Sequence, residues 1–421
     1  MAKSVIKKSF ERPELLLPAG NFSKLKIGLT YGGDAFYLGF TPFSLRCNDN
    51  GFTKDDLLKG VELIRERGKV FYLTMNLFPR SEKIDVLKKH ILFVKKEIRP
   101  DALIVADPGV FEMVREYYPE AVIHMSVQAN VINYRSVDFW RKQGAKRIIL
   151  PRELTLKDIR DIHKNVPEME LEFFVHGAIC MAYSGRCMLS NYMTGRDSNQ
   201  GACSHSCRWK YKVLEEEKRP GEFYEVQEDD NGTYFMNSKD NCMLPYLKDL
   251  VEAGICSFKV EGRNKTEYYL STVARTYKKA IDDMVGGKDF DKTLLEEVAK
   301  TANRGFIPGY LFGFPGDYND TYFEDNAPIQ THKFAGIVRG VGAVAHSGLR
   351  RDDLYEVEIR NRMDSGDEVE VMTPEEQFII KVDEMYDLER NKVESVHGGA
   401  GNRVLKLKKG IAEGAILRFK V

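Results

Sequence analysis

Long apolar runs are missing from this chain. No stretch of its 421 residues approaches the ~20 apolar residues that a membrane-spanning helix needs. Short runs such as Leu15-Leu16-Leu17-Pro18 stop within a strand length. The first eight residues, from Met1 to Lys8, are charged and hold no apolar signal core, so neither secretion nor membrane insertion is expected and the cytoplasm is the expected location. Excess charge is missing too: Lys plus Arg and Asp plus Glu number 63 each. That balance excludes attraction of the whole surface to nucleic acid, so any basic site must be local. Several motifs are absent. Without a Cys-x-x-Cys knuckle there is little support for a structural zinc site. Cys-x-x-x-Cys-x-x-Cys, which radical-SAM enzymes need, does not occur. Neither does His-Glu-x-x-His or Gly-x-Ser-x-Gly, which removes the usual signatures of metallopeptidases and serine hydrolases.

What is present is a globular composition, 43% hydrophobic and 30% charged, in a chain long enough for two or three domains. Eight short apolar runs recur in the first part: Glu14–Pro18, Ala35–Gly39, Val70–Asn76, Ala102–Asp107, Val122–Ser126, Arg147–Pro151, Leu171–Gly177 and Ser257–Gly262. Amphipathic stretches such as Lys54–Arg67, Lys83–Ile98 and Ser136–Gln143 lie between them, and Asn264–Val285 follows the last. Buried strands alternating with helices mean a parallel sheet, and eight repeats predict closure into a TIM-like (β/α)8 barrel. An open doubly wound sheet is the alternative. From about residue 330 the pattern changes to strands bounded by Gly, Asp and Asn: Phe334–Val344, Leu354–Arg360, Glu368–Met372, Phe378–Tyr386 and Arg403–Leu407. These predict a small antiparallel β-barrel. The expected α/β architecture is a barrel over residues 1–315, a linker over 316–329 and the β-domain over 330–421.

The alternation breaks once, after the seventh strand, where residues 178–254 form an insertion far longer than usual connections. Five of the seven cysteines fall there, at positions 180, 187, 203, 207 and 242, with six, fifteen, three and thirty-four residues between them. Barrel active sites form at the C-terminal ends of strands, so the insertion should sit over the mouth. Clustered cysteines in a cytosolic chain point to metal or redox chemistry. Spacing alone leaves three readings open: a [4Fe–4S] cluster on four loop-borne thiolates, zinc, or free thiols. Cys180, Cys187 and Cys203 belong to every four-ligand arrangement, and the fourth is Cys207 or Cys242. A ligand at Cys242 would pin both ends of the insertion, which favours it. Cys47 and Cys256 read as packing thiols.

Other residues at the expected mouth carry chemistry. Alternation turns Glu172, Phe174 and His176 to one face of the seventh strand. Glu172, His176 and Arg152 are the candidate catalytic residues, with a core histidine as the bland reading of His176. Ser126, Gln128, Asn130 and Asn133 form a polar run past the fifth strand, suited to a ligand site or to turn and cap chemistry. Arg46, Arg152, Arg186 and Arg263 fall where strand ends or the insertion meet the mouth, and arginine holds carboxylate or phosphate in a bidentate fork. Residues 141–220 hold fifteen Lys and Arg against ten Asp and Glu. Within them Arg208-Trp209-Lys210-Tyr211-Lys212 interleaves cations with aromatics, as RNA backbone tracking and base stacking require. Substrate contacts are therefore expected from Arg46, Ser126, Gln128, Asn130, Arg186, Arg208 and Arg263.

The segment Glu172-Phe-Phe-Val-His-Gly-Ala-Ile-Cys180 runs on through Gly185 and Cys187 to Ser190, in the pattern Glu-x-Phe-x-x-Gly-Ala-Ile-Cys-x-x-x-x-Gly-x-Cys-x-Leu-Ser. In that form it resembles the signature of peptidase family U32. Glu14-Leu-Leu-Leu-Pro-Ala-Gly-Asn21, His124-Met-Ser-Val-Gln-Ala-Asn130, Leu150-Pro-Arg-Glu-Leu154, Phe235-Met-Asn-Ser-Lys-Asp240 and Val260-Glu-Gly-Arg263 agree with it, so the resemblance covers nearly the whole chain. Asn199-Gln-Gly-Ala-Cys-x-x-x-Cys-Arg-Trp-Lys-Tyr211 is similar to the family's tRNA hydroxylation branch. The resemblance implies an oxygen-independent hydroxylase with a [4Fe–4S] cluster on Cys180, Cys187, Cys203 and Cys242. It also implies 5-hydroxyuridine formation at the wobble uridine of tRNA, prephenate as co-substrate, and a paralogous family member as possible partner. A collagenase-like peptidase and a non-catalytic iron–sulfur RNA-binding subunit are the competing expectations.

Overall fold

The computed structural model describes residues 12–40, 44, 52–179, 186, 189–194, 204, 239–313, 329–341, 353–407 and 410–421, together with four short strands between 214 and 234. Eight strands form a closed parallel barrel: β1 (Glu14–Ala19), β2 (Ala35–Gly39), β3 (Val70–Met75), β4 (Ala102–Val105), β5 (Ile123–Met125), β6 (Arg147–Ile149), β7 (Glu170–Ala178) and β8 (Ile255–Val260). Each pairs with the next, and β8 closes the ring by pairing with both β7 and β1.

Helices α1 (Phe22–Thr30), α2 (Lys54–Glu66), α3 (Ile84–Phe93), α4 (Pro108–Tyr117), α5 (Tyr134–Lys142) and α6 (Leu156–Asn165) follow the first six strands. Their starts are written locally. Asn21, Thr53, Asp107 and Asn133 each accept a backbone N–H at a helix N-terminus, and Thr155 with Asp158 forms a full capping box. Helix α7 (Leu189–Thr194) lies in the insertion, α8 (Leu247–Glu252) leads into β8, and α9 (Glu267–Val285) and α10 (Thr293–Ala299) follow it. The eighth helix starts at Glu267 rather than Asn264, because Thr266 caps it by accepting from Tyr269 N.

Period-2 alternation sorts the strands into two cores. Leu15, Leu17, Phe71, Leu73, Phe173 and Val175 pack outward beneath the helices. Leu16, Tyr37, Tyr72, Ile104, Ile149 and Phe174 fill the barrel interior. The insertion returns through the short strand Asp240–Cys242, which runs antiparallel to the end of β7 and parallel to Phe306–Ile307.

The C-terminal strands are β9 (His332–Val341), β10 (Leu354–Ile359), β11 (Glu368–Met372), β12 (Gln377–Lys381), β13 (Glu384–Tyr386), β14 (Lys392–Val393), β15 (Asn402–Lys406) and β16 (Ile416–Lys420). They form one antiparallel sheet in the order β12-β11-β16-β9-β10-β15-β13-β14. Its two end strands do not pair, so the expected barrel is a half-barrel. The single strand expected over Phe378–Tyr386 is two, β12 and β13, which pair with different neighbours. The sheet is fused to the (β/α) barrel: Phe334, Ile337, Met372 and Ile416 belong to the barrel's outer core. Tyr31, at the C-terminal cap of α1, donates to the Met372 carbonyl at 2.7 Å. Fully buried Arg418 on β16 bridges Glu297 on α10 at 2.8 Å and Glu370 on β11 at 2.9 Å.

Candidate functional site at the barrel mouth

Strand-opening residues build an ion-pair floor inside the barrel. Arg147 on β6 donates to Glu14 on β1 at 2.7 Å, to Glu172 on β7 at 3.2 Å and to Glu170 at 2.9 Å. Tyr72 donates to Glu14 at 2.6 Å, and Ser257 on β8 donates to the same carboxylate at 2.8 Å. Lys259 on β8 donates to Glu172 at 2.7 Å. Burying these charges is tolerable because each is paired and hydrogen-bonded. Burial lowers the Lys259 pKa, and the Glu172 charge opposes that shift. His124 stands edge-on to Tyr72 at 4.7 Å and is held neutral, its pKa driven well down by burial and then by the Arg147 charge. A cleft of ≈ 440 Å³ lined by Tyr72, His124 and Arg147 opens on this floor from the N-terminal end of the barrel, opposite the mouth.

The mouth lies at the other end. After β5, Ser126 accepts from Gln128 N, Asn130 adopts a left-handed conformation (φ 56°), and Asn133 caps α5. Turn and cap chemistry thus explains Ser126 and Asn133. It does not explain Gln128, which is 3% exposed and whose Oε1 and Nε2 both lack a hydrogen-bond partner among the described residues. Arg186, seven residues after Ile179 and one before Cys187, donates Nε to the Gln128 carbonyl at 3.0 Å and lies over the Phe78 ring. This bond ties Arg186 to the end of β5. Arg152 stacks on Phe174 with 3.8 Å between guanidinium carbon and ring centroid. Arg263 donates to Ser44 at 3.0 Å and sits 5.8 Å from the Tyr37 ring.

One expectation meets a different arrangement at the end of β7. His176 does not share a face with Glu172. A register shift between Lys259↔Phe174 and Val260↔His176 skips Val175, and such a bulge re-aims the side chains beyond it. Glu172 and Phe174 point into the barrel, while the His176 ring packs on Tyr269 and Tyr277 of α9 and on Phe306. Burial pulls its pKa down to about 3. Cys242 pairs with His176 across the antiparallel rung. Its thiol is free and buried in the outer core, 3.8 Å from the Tyr277 hydroxyl. Burial pushes the thiol pKa up to about 11, against hydrogen bonds from Leu244 and Tyr277. Tyr277 also reaches His176 Nδ1 at 3.3 Å and donates to the Val175 carbonyl at 2.7 Å. Cys180, Cys187, Cys203, Cys207, Arg46 and Arg208 lie outside the described residues.

Sequence reasoning missed Lys259, Arg147 and Glu14. The signal was available in Ser257-Phe258-Lys259-Val260, where alternation sets Ser and Lys on one face and Phe and Val on the other.

Fold and site together define a closed (β/α)8 barrel in which a long insertion separates β7 from β8 and whose wall is extended by an antiparallel half-barrel. The chain belongs to peptidase family U32: the family's model matches residues 20–321, and that of the U32 C-terminal domain matches residues 330–418. It is similar to tRNA hydroxylation protein P of Escherichia coli (strain K12), 39% identical over 402 residues that cover 86% of this chain and 87% of that one. It is also similar to tRNA hydroxylation protein P1 of Bacillus subtilis (strain 168), 35% identical over 97% of this chain and 95% of the relative. The Collagenase of Porphyromonas gingivalis (strain ATCC BAA-308 / W83) is 29% identical over 89% of this chain and 91% of its own.

Proposed function

We propose that this protein is an oxygen-independent tRNA hydroxylase that forms 5-hydroxyuridine at the wobble uridine, with prephenate as co-substrate and a [4Fe–4S] cluster on Cys180, Cys187, Cys203 and Cys242. The observation that carries this reading is the 39% identity to a protein named for tRNA hydroxylation, extending over 86% of the chain. Of these four cysteines, Cys242 alone is among the described residues, buried against Tyr277. Cys242 is a free thiol on the strand bonded to β7, and Cys180 follows two residues after Ala178, the last residue of β7. As a ligand Cys242 would give up its proton, as coordinating thiols do. When bound, the cluster supplies one-electron redox chemistry beside the mouth.

The protein's own groups would do the rest. A base removed from the stack enters the mouth, where the unpartnered Gln128 amide offers one donor and one acceptor to a uracil edge carrying N3–H and a carbonyl. Arg186 is bonded to the end of β5, and the Arg208–Lys212 run would follow the RNA backbone. Arg152 and Glu172 remain the interior candidates for handling charge and protons. His176 and Tyr277 act from behind, positioning Cys242. A paralogous partner belongs to this proposal, supported by two proteins of Bacillus subtilis, P1 and P2, named for the same process.

Proteolysis fits less well. A cysteine peptidase needs a thiol with lowered pKa beside a histidine that can accept its proton. Among the described residues, burial moves Cys242 up to about 11 and His176 down to about 3, the opposite of that pairing.

The test is direct. Wobble-unmodified tRNA is incubated without oxygen in extract of cells lacking this protein, with or without the purified, reconstituted protein and prephenate. Addition should raise the mass of the wobble uridine by one oxygen atom. Equal modification with and without the protein would refute the proposal.

A further inference from the structure

Lys259 is a buried ammonium with more donors than partners. It is 4% exposed and sits on β8 at the upper edge of the ion-pair floor, which it joins through Glu172. Of its three donors, one goes to Glu172 Oε1 at 2.7 Å. Among the described residues, the ammonium also faces the Tyr37 ring at 4.5 Å and the Phe174 ring at 5.5 Å, with the Arg147 and Arg263 charges nearby. A buried charge is costly unless its hydrogen bonds are complete, so this incompleteness marks a place for an acceptor.

The same two rings carry two further cations. Arg152 stacks on Phe174 at 3.8 Å, and Arg263 lies 5.8 Å from Tyr37. Three cations from the ends of β6 and β8 thus alternate with two rings from β7 and β2. The floor beneath is balanced: Glu14, Glu170 and Glu172 face Lys146, Arg147 and Lys259. Arg152 and Arg263 add positive charge above it.

We propose that this layer is a binding site for a small organic carboxylate, held by Lys259 and Arg263, with Phe174 and Tyr37 lining its apolar body and Arg152 closing the side. The inference rests on the mouth being the reaction site and assigns one part of it to the co-substrate rather than to the base. A small carboxylate suits the site better than an RNA phosphate. Lys259 is 4% and Arg263 8% exposed, a depth that a free molecule reaches and a polyanionic backbone does not. The planar guanidinium fork also matches a carboxylate.

Calorimetric titration of the full-length, reconstituted protein tests it, with prephenate, inorganic phosphate and unmodified tRNA as separate probes. Prephenate should bind saturably, and Arg263→Gln and Lys259→Met should each weaken it at least about tenfold, the loss of one charge-assisted hydrogen bond. Affinity for tRNA should stay unchanged. If Lys259→Met fails to fold, Arg152→Gln takes its place beside Arg263→Gln. Unchanged prephenate binding in the folded variants would overturn the inference. So would phosphate binding more tightly than prephenate with tRNA affinity falling in the same variants, which would mark a backbone-phosphate site. Prephenate binding that is lost in the variants, in a protein that does not hydroxylate tRNA, would support the site and overturn the functional reading alone.

Discussion

Cys242 faces His176 across the rung that joins the end of the insertion to the end of β7, and Tyr277 of α9 touches both, at 3.8 Å and 3.3 Å. A ligand at this rung ties the insertion to the barrel wall. Cys242→Ser should therefore lose iron and visible absorbance when the protein is purified without oxygen, whereas Cys207→Ser should largely keep both. Iron and sulfide assays with a visible spectrum decide it. The reverse result would move the fourth ligand to Cys207.

The Lys259–Glu172 pair has a stability signature. Lys259→Met leaves Glu172 without one of its cations in a buried layer, and removing one partner of such a pair costs roughly 3–5 kcal/mol. Urea unfolding should show that loss, and the double variant Lys259→Met with Glu172→Gln should recover part of it. A single variant as stable as the wild type would contradict the arrangement.

The half-barrel should not be removable without cost to the barrel. Phe334, Ile337, Met372 and Ile416 share the barrel's core, and Arg418 is fully buried between Glu297 and Glu370. Arg418→Met strands two carboxylates and should lower stability by about 3 kcal/mol or more. Truncation before residue 330 should lower the melting temperature of what remains. A truncated barrel melting like the full chain would show that the shared core contributes nothing.

Acid should unfold the protein in two windows. Burial lowers the His90 pKa from 6.5 to about 4. The unfolded chain therefore binds more protons there, and stability present above pH 6.5 declines as pH falls through about 4. Burial alone would raise the Glu370 pKa, but Arg418 and Lys300 hold it at about 2, below 4.5. Its contribution, present above pH 4.5, is lost as pH falls toward about 2. Denaturant midpoints measured across these windows should fall with pH, and His90→Leu should flatten the upper one. A His90→Leu profile parallel to wild type would rule out the histidine's share.

The eight barrel strands were legible because each is a short apolar run ending in residues that turn or cap, as at Ala19-Gly20-Asn21 and Ile149-Leu150-Pro151. The facing of His176 was not, because a bulge at Val175 depends on pairing with β8, about 85 residues away in the chain, and leaves no local mark. The floor was hidden for a similar reason: Arg147 and Glu14 meet across 133 positions. In Phe378–Tyr386 apolar continuity concealed a break, since Asp383 separates strands that pair with β11 and β15. Of the polar run after β5, cap preferences identified Asn133, but only burial singled out Gln128.

Hydroxylation of tRNA is the central claim, and nucleoside mass spectrometry of total tRNA from cells grown without oxygen tests it most directly. Cells lacking this protein, and any paralogue that covers for it, should lose 5-hydroxyuridine and its derivatives at wobble positions. The wild-type gene should restore them and a Cys180→Ser gene should not. A nucleoside profile identical in the presence and absence of the protein would contradict the account.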